Sequence, residues 1–273
     1  MPLFQYTIDV NGPETVAHDV FGALLYNEPM HNLSAKFSIV SLLVLLISFI
    51  NRNEIPADLP LLPELNIDPV QRAVNQAPFM TTYNDEQFLV KPRFDYRLNG
   101  LVVSYRLHDS ENGMMLHALS KDHLNVADFC VVWGDSANPE LLQDFDFSNG
   151  QFTCNYGSQS RQAWDAFNHH QLSNNHLLAA DEFVRDTIKD IQIGDQITLS
   201  GWLANYQNPT GYERATSTTR TDTGNGACET IFVNDISIVR PMNSFWRQLM
   251  MFSLGAFLIS TFLYFTSPYV PNK

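Results

Sequence analysis

Two long apolar runs, residues 37–50 and 249–265, dominate the hydropathy pattern of this chain, and neither contains a charged residue. About 20 helical residues cross the hydrocarbon core of a bilayer, and aromatic residues flank the second run as they do at membrane interfaces. The pattern predicts transmembrane helices over residues 33–50 and 246–266. A buried core helix is the alternative for the shorter first run.

Between the runs, the pattern is that of a β-rich domain. Residues 101–107 alternate between apolar and more polar side chains, which predicts a half-buried strand, and the unbroken apolar run 129–133 predicts a central one. Residues 181–191 carry the helical period, with Asp181 as the N-cap. Gly201 interrupts the apolar face of the next strand and predicts a bend or bulge. A helix, a bent strand and a returning hairpin are typical of an OB-type barrel, and many β-sandwiches give the same pattern.

The predicted fold class is therefore α+β, with two transmembrane helices flanking a β-rich soluble domain that is OB-like or a sandwich. A short amphipathic helix is expected near the N-terminus. Four prolines between residues 56 and 69 block both helix and central strand, so we expect an extended spacer that holds the domain away from the bilayer. The predicted boundaries, in chain order, are 1–32, 33–50, 51–78, 79–243, 246–266 and 267–273.

The formal net charge is −13, and almost all of it lies between the two apolar runs. Such an acidic surface repels phosphate backbones, so nucleic acid is not an expected partner. Lysine and arginine are divided almost evenly between the two sides of the predicted spans, so the positive-inside rule does not fix the orientation. Because the domain is acidic and poor in lysine, we expect it on the periplasmic side of a bacterial inner membrane, with both termini in the cytoplasm.

The three cysteines allow one disulfide in an exported domain. Cys130 and Cys154 both lie in strand-like runs, so they are the expected pair, and buried free thiols are the alternative. The chain contains no C-x-x-C spacing that would indicate a redox dithiol or a zinc knuckle.

A histidine-rich stretch carries the enzyme hypothesis. His169 and His176 are two helical turns apart and would share one face of a helix, with His170 beside them, so a metal-dependent hydrolase is the alternative function. Ser136 or Ser173 is the candidate nucleophile of a metal-free hydrolase. No G-x-S-x-G or HExxH spacing supports either form.

The threonine-rich segment 214–229 is the most unusual in composition. Arg214 and Arg220 lie within it, and Arg220 is a candidate for gripping a carboxylate or phosphate. The alternative is an ion pair of Arg220 with Asp222 or Glu229 that locks the hairpin. A second set of candidate binding residues, which would form an aromatic platform for a peptide or glycan, is Trp202, Tyr206 and Tyr212.

From this pattern we expect a membrane-anchored binding or assembly protein of a bacterial-type envelope, without catalysis of its own and without a cofactor. Small residues on the second apolar run form a stripe that suits close packing against another helix. The expected partners are membrane lipid and either a second protein or a second copy of this chain in the membrane.

Overall fold

The computed structural model describes residues 30–108, 121–150, 152–222 and 228–268. The chain divides into two compact units, one formed by the two ends of the chain and the other by Asn53–Ser244. The amphipathic helix expected near the N-terminus lies outside the described residues. Within them the protein is mixed α+β, as predicted, and contains one large sheet.

The described residues form five α-helices, which are, in chain order, α1 (Met30–Asn51), α2 (Pro139–Leu142), α3 (Arg161–Ala166), α4 (Glu182–Asp190) and α5 (Phe245–Thr266). They also form ten strands, which are β1 (Val70–Ala73), β2 (Phe79–Tyr83), β3 (Glu86–Leu107), β4 (Asn125–Val132), β5 (Phe145–Asn149), β6 (Cys154–Ser158), β7 (Leu172–Leu178), β8 (Gln196–Gln207), β9 (Glu213–Arg214) and β10 (Cys228–Arg240). Two short 3₁₀ turns lie at Pro63–Asn66 and Gly134–Ala137.

Helices α1 and α5 are the two apolar helices expected from the sequence. Each is 22 residues long, and an 18-residue stretch within it has a mean hydropathy of 2.3 in α1 and 1.8 in α5. Most of their large apolar side chains are exposed, as a lipid-facing surface requires. By length and composition, both helices could cross a membrane.

Within the helical unit, α1 and α5 pack together through small polar residues. The Ser38 Oγ atom donates to the Ser260 Oγ atom over 3.0 Å. The buried residues of the pair are all serines at seven-residue spacing, namely Ser34, Ser41 and Ser48 on α1 and Ser253 and Ser260 on α5. Small side chains let two helix backbones approach closely. Part of the predicted small-residue stripe is therefore occupied by the other helix of the same chain.

Five strands of the second unit pair in a closed ring. Strand β3 pairs along one stretch with β4 and along another with β8, β4 continues to β7, and β10 joins β7 to β8. The pairing of β7 with β10 is parallel, and the other four pairings of the ring are antiparallel. Strands β1 and β2 extend the sheet from β3, and β9 extends it from β8.

Strands β8 and β10 pair through a bulge beside Gly201. A Cβ atom at this position would lie 2.2 Å from the Phe232 carbonyl oxygen, so the two backbones approach too closely for any side chain. The register of β10 also slips between Val233 and Asp235, opposite this glycine. A bulge of this kind increases the local twist that a closed ring needs.

The interior of the ring is mostly apolar, and α4 packs against it. Each of the five strands contributes to a single buried cluster, for example through Leu98, Phe129, Leu177, Leu199 and Ile231. Val184 and Ile188 of α4 belong to the same cluster. The Asp181 side chain accepts a hydrogen bond from the Val184 amide over 3.0 Å, which confirms the N-cap expected from the sequence.

The proline-rich segment is packed onto the barrel, whereas the sequence predicts a free-standing spacer. Leu59 and Leu65 are buried against barrel residues, each contributing about 2 kcal/mol relative to an exposed side chain. The Gln196 side chain accepts from the Leu62 amide and donates to the Pro60 carbonyl, both over 2.8 Å. The segment forms no α-helix or strand before β1, but the leucines between the prolines supply an apolar face that the spacer prediction did not consider.

Candidate functional site

Three adjacent strands, β4, β7 and β10, carry two rows of polar and sulfur-containing residues across their outer face. The register places these residues directly opposite one another, as Asp128, His176 and Thr230 in one row and Cys130, Asn174 and Cys228 in the next. Apolar neighbours on the same three strands, Phe129, Leu177 and Ile231, belong to the interior cluster, so strand alternation turns both rows outward. Cross-strand pairs on one face are close enough to interact.

Asp128 is the charged centre of the first row. It lies in a strand whose residues are all buried, and its carboxylate contacts His176 through a short hydrogen bond and the His108 Nε2 atom over 3.1 Å. Burial by itself raises the pKa of Asp128. The hydrogen bonds from His108 and His176 outweigh that effect and hold the pKa well below its usual range, so Asp128 is a carboxylate at neutral pH.

Arg214 reaches this row from the edge of the sheet. Strand β9 places Arg214 opposite Tyr206 of β8, and the Arg214 Nη2 atom lies 3.0 Å from the His176 Nε2 atom. A guanidinium only donates, so His176 Nε2 must be the acceptor and the ring proton is on Nδ1, facing Asp128. In this tautomer, the only lone pair in the plane of the ring is engaged by Arg214.

Phe152 forms the rim of the site together with Arg214. The Arg214 Cζ atom lies 4.3 Å from the centre of the Phe152 ring, and both side chains are half-exposed. Phe152 has a φ of 62°, a left-handed conformation that costs about 1–3 kcal/mol for a residue with a side chain. The surrounding contacts must offset this cost to hold the ring in place.

A second buried acid lies behind the rim. The Tyr206 hydroxyl donates to Asp122 at 2.8 and 2.9 Å from the two carboxylate oxygens. Burial raises the pKa of Asp122, although the hydrogen bond from Tyr206 and the charge of Arg214 act in the opposite direction. Tyr206 is fully buried, so it supports the site from below and offers no surface to a ligand.

Two of the three cysteines, Cys130 and Cys228, lie in the second row, and the third is bonded to Cys130. Cys130 on β4 is joined to Cys154 on β6 by a disulfide, and Cys228 on β10 is a free thiol that is half-buried. Burial raises the pKa of Cys228. Asn174 and Arg214 oppose that rise, while Glu229 and Asp128 add to it. The thiol is therefore mostly protonated at neutral pH.

The aromatic platform expected from the sequence does not assemble. Tyr206 is buried, the Trp202 Nε1 atom donates to Asp95 over 2.9 Å, and Tyr212 lies 56% exposed. Trp202 packs instead on Phe232 with the two rings nearly parallel. The period of β8 places Trp202 and Tyr206 on one face, but the covering elements bury the second of them.

Arg220 lies away from the two rows. It pairs with Asp68 of the proline-rich segment over 3.4 Å, and not with Asp222 or Glu229 as the ion-pair hypothesis expected. The Asp222 carboxylate accepts instead from Ser217. Arg220 thus fastens the segment before β10 to the arm before β1.

The structure separates the three histidines of the proposed metal site. His169 and His176 do not share a helix, because α3 ends at Ala166 and the chain enters β7 at Leu172. His169 hydrogen-bonds the Tyr156 hydroxyl over 2.9 Å, and His170 is exposed. In the described part of the chain, no group of three or more histidine, cysteine, aspartate or glutamate side chains is arranged to hold a metal ion.

The serines of the alternative hydrolase are engaged elsewhere. The Ser136 hydroxyl donates to the Asn168 carbonyl over 2.9 Å. Ser173 lies on the inner face of β7, where its hydroxyl hydrogen-bonds Asn175. Neither serine contacts the His176 ring in the described contacts, so no serine nucleophile and base are brought together.

The inner face also carries a buried acid, Glu229, which lies opposite Asn175 in the register of β10 and β7. Its Oε2 atom has no hydrogen-bond partner among the described residues. Burial is the largest cause of a rise in the pKa of Glu229 from 4.5 to about 8, and the charge of Asp222 adds to it. Glu229 therefore carries a proton through much of the neutral range.

The site thus joins residues from several separate predictions. Arg214, Tyr206, His176 and the Cys130–Cys154 pair meet here, although the sequence assigns them to different hypotheses. Three further residues, Asp122, Asp128 and Phe152, belong to the site without any predictive spacing. An aspartate inside an otherwise apolar strand is the one local signal for Asp128, since a buried carboxylate needs partners.

No protein-family model matches this chain, and neither does any curated protein or any solved structure.

Proposed function

We propose that this protein is a membrane-tethered binding and assembly protein of a bacterial-type envelope, with its barrel domain on the periplasmic side and both termini in the cytoplasm. Two apolar helices of spanning length at either end of the domain support the tether. The disulfide between Cys130 and Cys154 favours an oxidising compartment. The strong negative charge of the domain keeps it soluble and clear of anionic lipid headgroups.

The barrel is proposed to be of the OB type. Three features support this: five strands close in the order β3, β4, β7, β10, β8; the single parallel pair is β7 with β10; and helix α4 lies between β7 and β8. In OB-type barrels, the ligand lies on the face of the second and third strands, between the loops that follow the first and fourth. Here those strands are β4 and β7, and Arg214 comes from the segment that follows β8.

The observation that carries the proposal is the fixed position of Arg214. Its guanidinium is half-exposed, held by His176 on one side and stacked on Phe152 on another. The ionised Asp128 lies behind it, so the negative charge of Asp128 balances the positive charge of Arg214. A pre-organised guanidinium of this kind binds a carboxylate with two parallel hydrogen bonds and little loss of conformational entropy. We therefore assign Arg214 as the contact for a carboxylate group of the partner.

The same contacts argue against catalysis as the main role. A general base needs a free lone pair, and that of His176 is engaged by Arg214. A thiol that attacks an external substrate at neutral pH needs a lowered pKa, and burial raises the pKa of Cys228. The arrangement suits holding a ligand better than activating a nucleophile.

The proposal is tested by purifying the tagged full chain from bacterial membranes after in-cell crosslinking and quantifying crosslinked proteins by mass spectrometry. Arg214→Ala should lower the recovery of the partner about ten- to hundred-fold, because a hydrogen bond to a charged group contributes about 1.5–3 kcal/mol. The matched control is Arg161→Ala, since Arg161 is exposed and pairs only with Asp165 among the described residues. This control should leave the recovery unchanged.

Equal recovery with both variants would remove Arg214 from the interface. Hydrolysis of a generic ester or peptide substrate, lost with His176→Ala while the crosslinked partner stays constant, would favour the hydrolase alternative instead.

A further inference from the structure

The three cysteines lie closer together than their spacing in the sequence indicates. Cys130 and Cys228 both lie opposite Asn174, one on each side of it. Neighbouring strands are about 4.8 Å apart, so the Cα atoms of Cys130 and Cys228 are about 10 Å apart. That separation is too large for a direct disulfide, which needs Cα atoms within about 7 Å.

Cys154 lies on the segment that crosses this gap. It is bonded to Cys130, with a Cα–Cα distance of 5.6 Å. Two residues earlier, the Phe152 carbonyl accepts from the Asn174 Nδ2 atom over 3.0 Å and lies 3.9 Å from the Cys228 Sγ atom. The free thiol therefore contacts the same short segment that carries one half of the disulfide.

We propose that Cys228 is a resolving thiol, which exchanges with the Cys130–Cys154 disulfide within this chain. The Cys228 thiol loses its proton to solvent base, and the thiolate attacks the Cys154 Sγ atom. The Cys154–Cys228 bond forms while the Cys130–Cys154 bond breaks, and Cys130 leaves as a thiolate that takes up a proton. The number of disulfides is unchanged, so the step needs neither an oxidant nor a reductant.

Two asparagines are placed to assist the step. The Asn174 Nδ2 atom lies 3.4 Å from the Cys228 Sγ atom, where it donates a hydrogen bond that stabilises the attacking thiolate. The Asn149 Oδ1 atom lies 3.4 Å from the Cys130 Sγ atom, where it accepts the proton of the released thiol. Both are positioning residues, since neither forms or breaks a bond.

The exchange also bears on the ligand face. Moving Cys154 towards Cys228 displaces Phe152, whose ring lies under the Arg214 guanidinium. The two disulfide isomers would then present Arg214 differently to a partner. This role goes beyond binding, because the isomerisation proceeds without a ligand.

The pairing is tested with two variants of the full chain in detergent, each exposed to a mild thiol oxidant. Cys130→Ala should form the Cys154–Cys228 disulfide, seen as the loss of two alkylation sites by mass spectrometry. Cys154→Ala is the matched control, and Cys130 and Cys228 should both remain alkylatable because they are too far apart. Formation of a Cys130–Cys228 bond in this control would overturn the proposed geometry.

The exchange itself is tested in the unmodified protein, which does not depend on how well the variants fold. After incubation at mildly alkaline pH and acid quenching, non-reducing digestion should yield Cys154–Cys228 peptides beside the Cys130–Cys154 peptides. Asn174→Ala should slow their appearance several-fold without changing the oxidised mass. Absence of the Cys154–Cys228 pair from the unmodified protein overturns the proposal, whatever the variants show.

Discussion

Glu229 shows how a single residue can set the pH dependence of the barrel. Its carboxyl group lies on the inner face, beside Asn175, with one oxygen that lacks a partner among the described residues. Burial raises its pKa to about 8, against 4.5 for an ordinary glutamate. Between these two values the folded chain keeps a proton that the unfolded chain has released. The folded state therefore loses stability as pH rises through this window.

We expect Glu229→Gln to remove that loss, because glutamine is neutral at every pH. Below pH 4.5 the two proteins should differ little, whereas above pH 8 the variant should be more stable, on the order of a few kcal/mol. The measurement is denaturant unfolding of the full chain in detergent, followed by tryptophan fluorescence across the pH range.

Asp58→Asn is the control, since Asp58 is exposed and its removal should leave the pH profile unchanged. A variant profile that still falls between pH 4.5 and 8 would assign the effect to another group.

Among the helices and strands, the sequence predicts those that follow from the period of apolar residues within one segment. It does not predict contacts that depend on which strands pair. Helices α1, α4 and α5 follow from runs and periods within single segments. The site does not, because Asp128 and His176 are 48 residues apart and meet only through the register of β4 and β7. The polar residues at the start of β7 also do not predict a strand, because serine and asparagine are typical of loops. Inside the barrel, Ser173 and Asn175 are buried because they hydrogen-bond each other.

The packing of α1 against α5 can be tested by crosslinking the two helices. In a Cys228→Ser background, cysteines at Ser38 and Ser260 should crosslink within one chain on oxidation in membranes, because the two hydroxyls lie 3.0 Å apart. Non-reducing electrophoresis and peptide mapping would detect the intrachain bond.

Pairing Ser38→Cys with Phe262→Cys is the control, since Phe262 is 65% exposed. If the Ser38–Ser260 pair instead yields dimers between chains, the helices pack between copies, as the small-residue stripe alone would allow.

The proposal of two membrane-spanning helices makes one property of the protein decisive, namely the side of the membrane on which the acidic domain folds. If α1 and α5 both cross the membrane, as we propose, the barrel is confined to one membrane surface, and a partner must share that membrane or diffuse to it. A long loop between two spans translocates largely regardless of its charge, so topology must be measured.

Alkaline phosphatase fused after Asn66 should be active, and the same reporter after Lys273 inactive, because we place the domain in the periplasm and both termini in the cytoplasm. Green fluorescent protein fluoresces in the cytoplasm but not after export in an unfolded state. Matched fusions of this reporter should therefore give the opposite pattern. Activity at Lys273 with none at Asn66 would invert the orientation and leave the disulfide in a reducing compartment.

The double pairing of β3 also bears on when folding can finish. This strand is among the first of the domain to be synthesised, yet one of its edges waits for β8, and β8 in turn pairs with β10, which ends only shortly before α5. Contacts between such distant segments close slowly, on the order of milliseconds to seconds. A nascent chain therefore emerges with an unsatisfied strand edge, and the barrel closes only after β10 has left the ribosome.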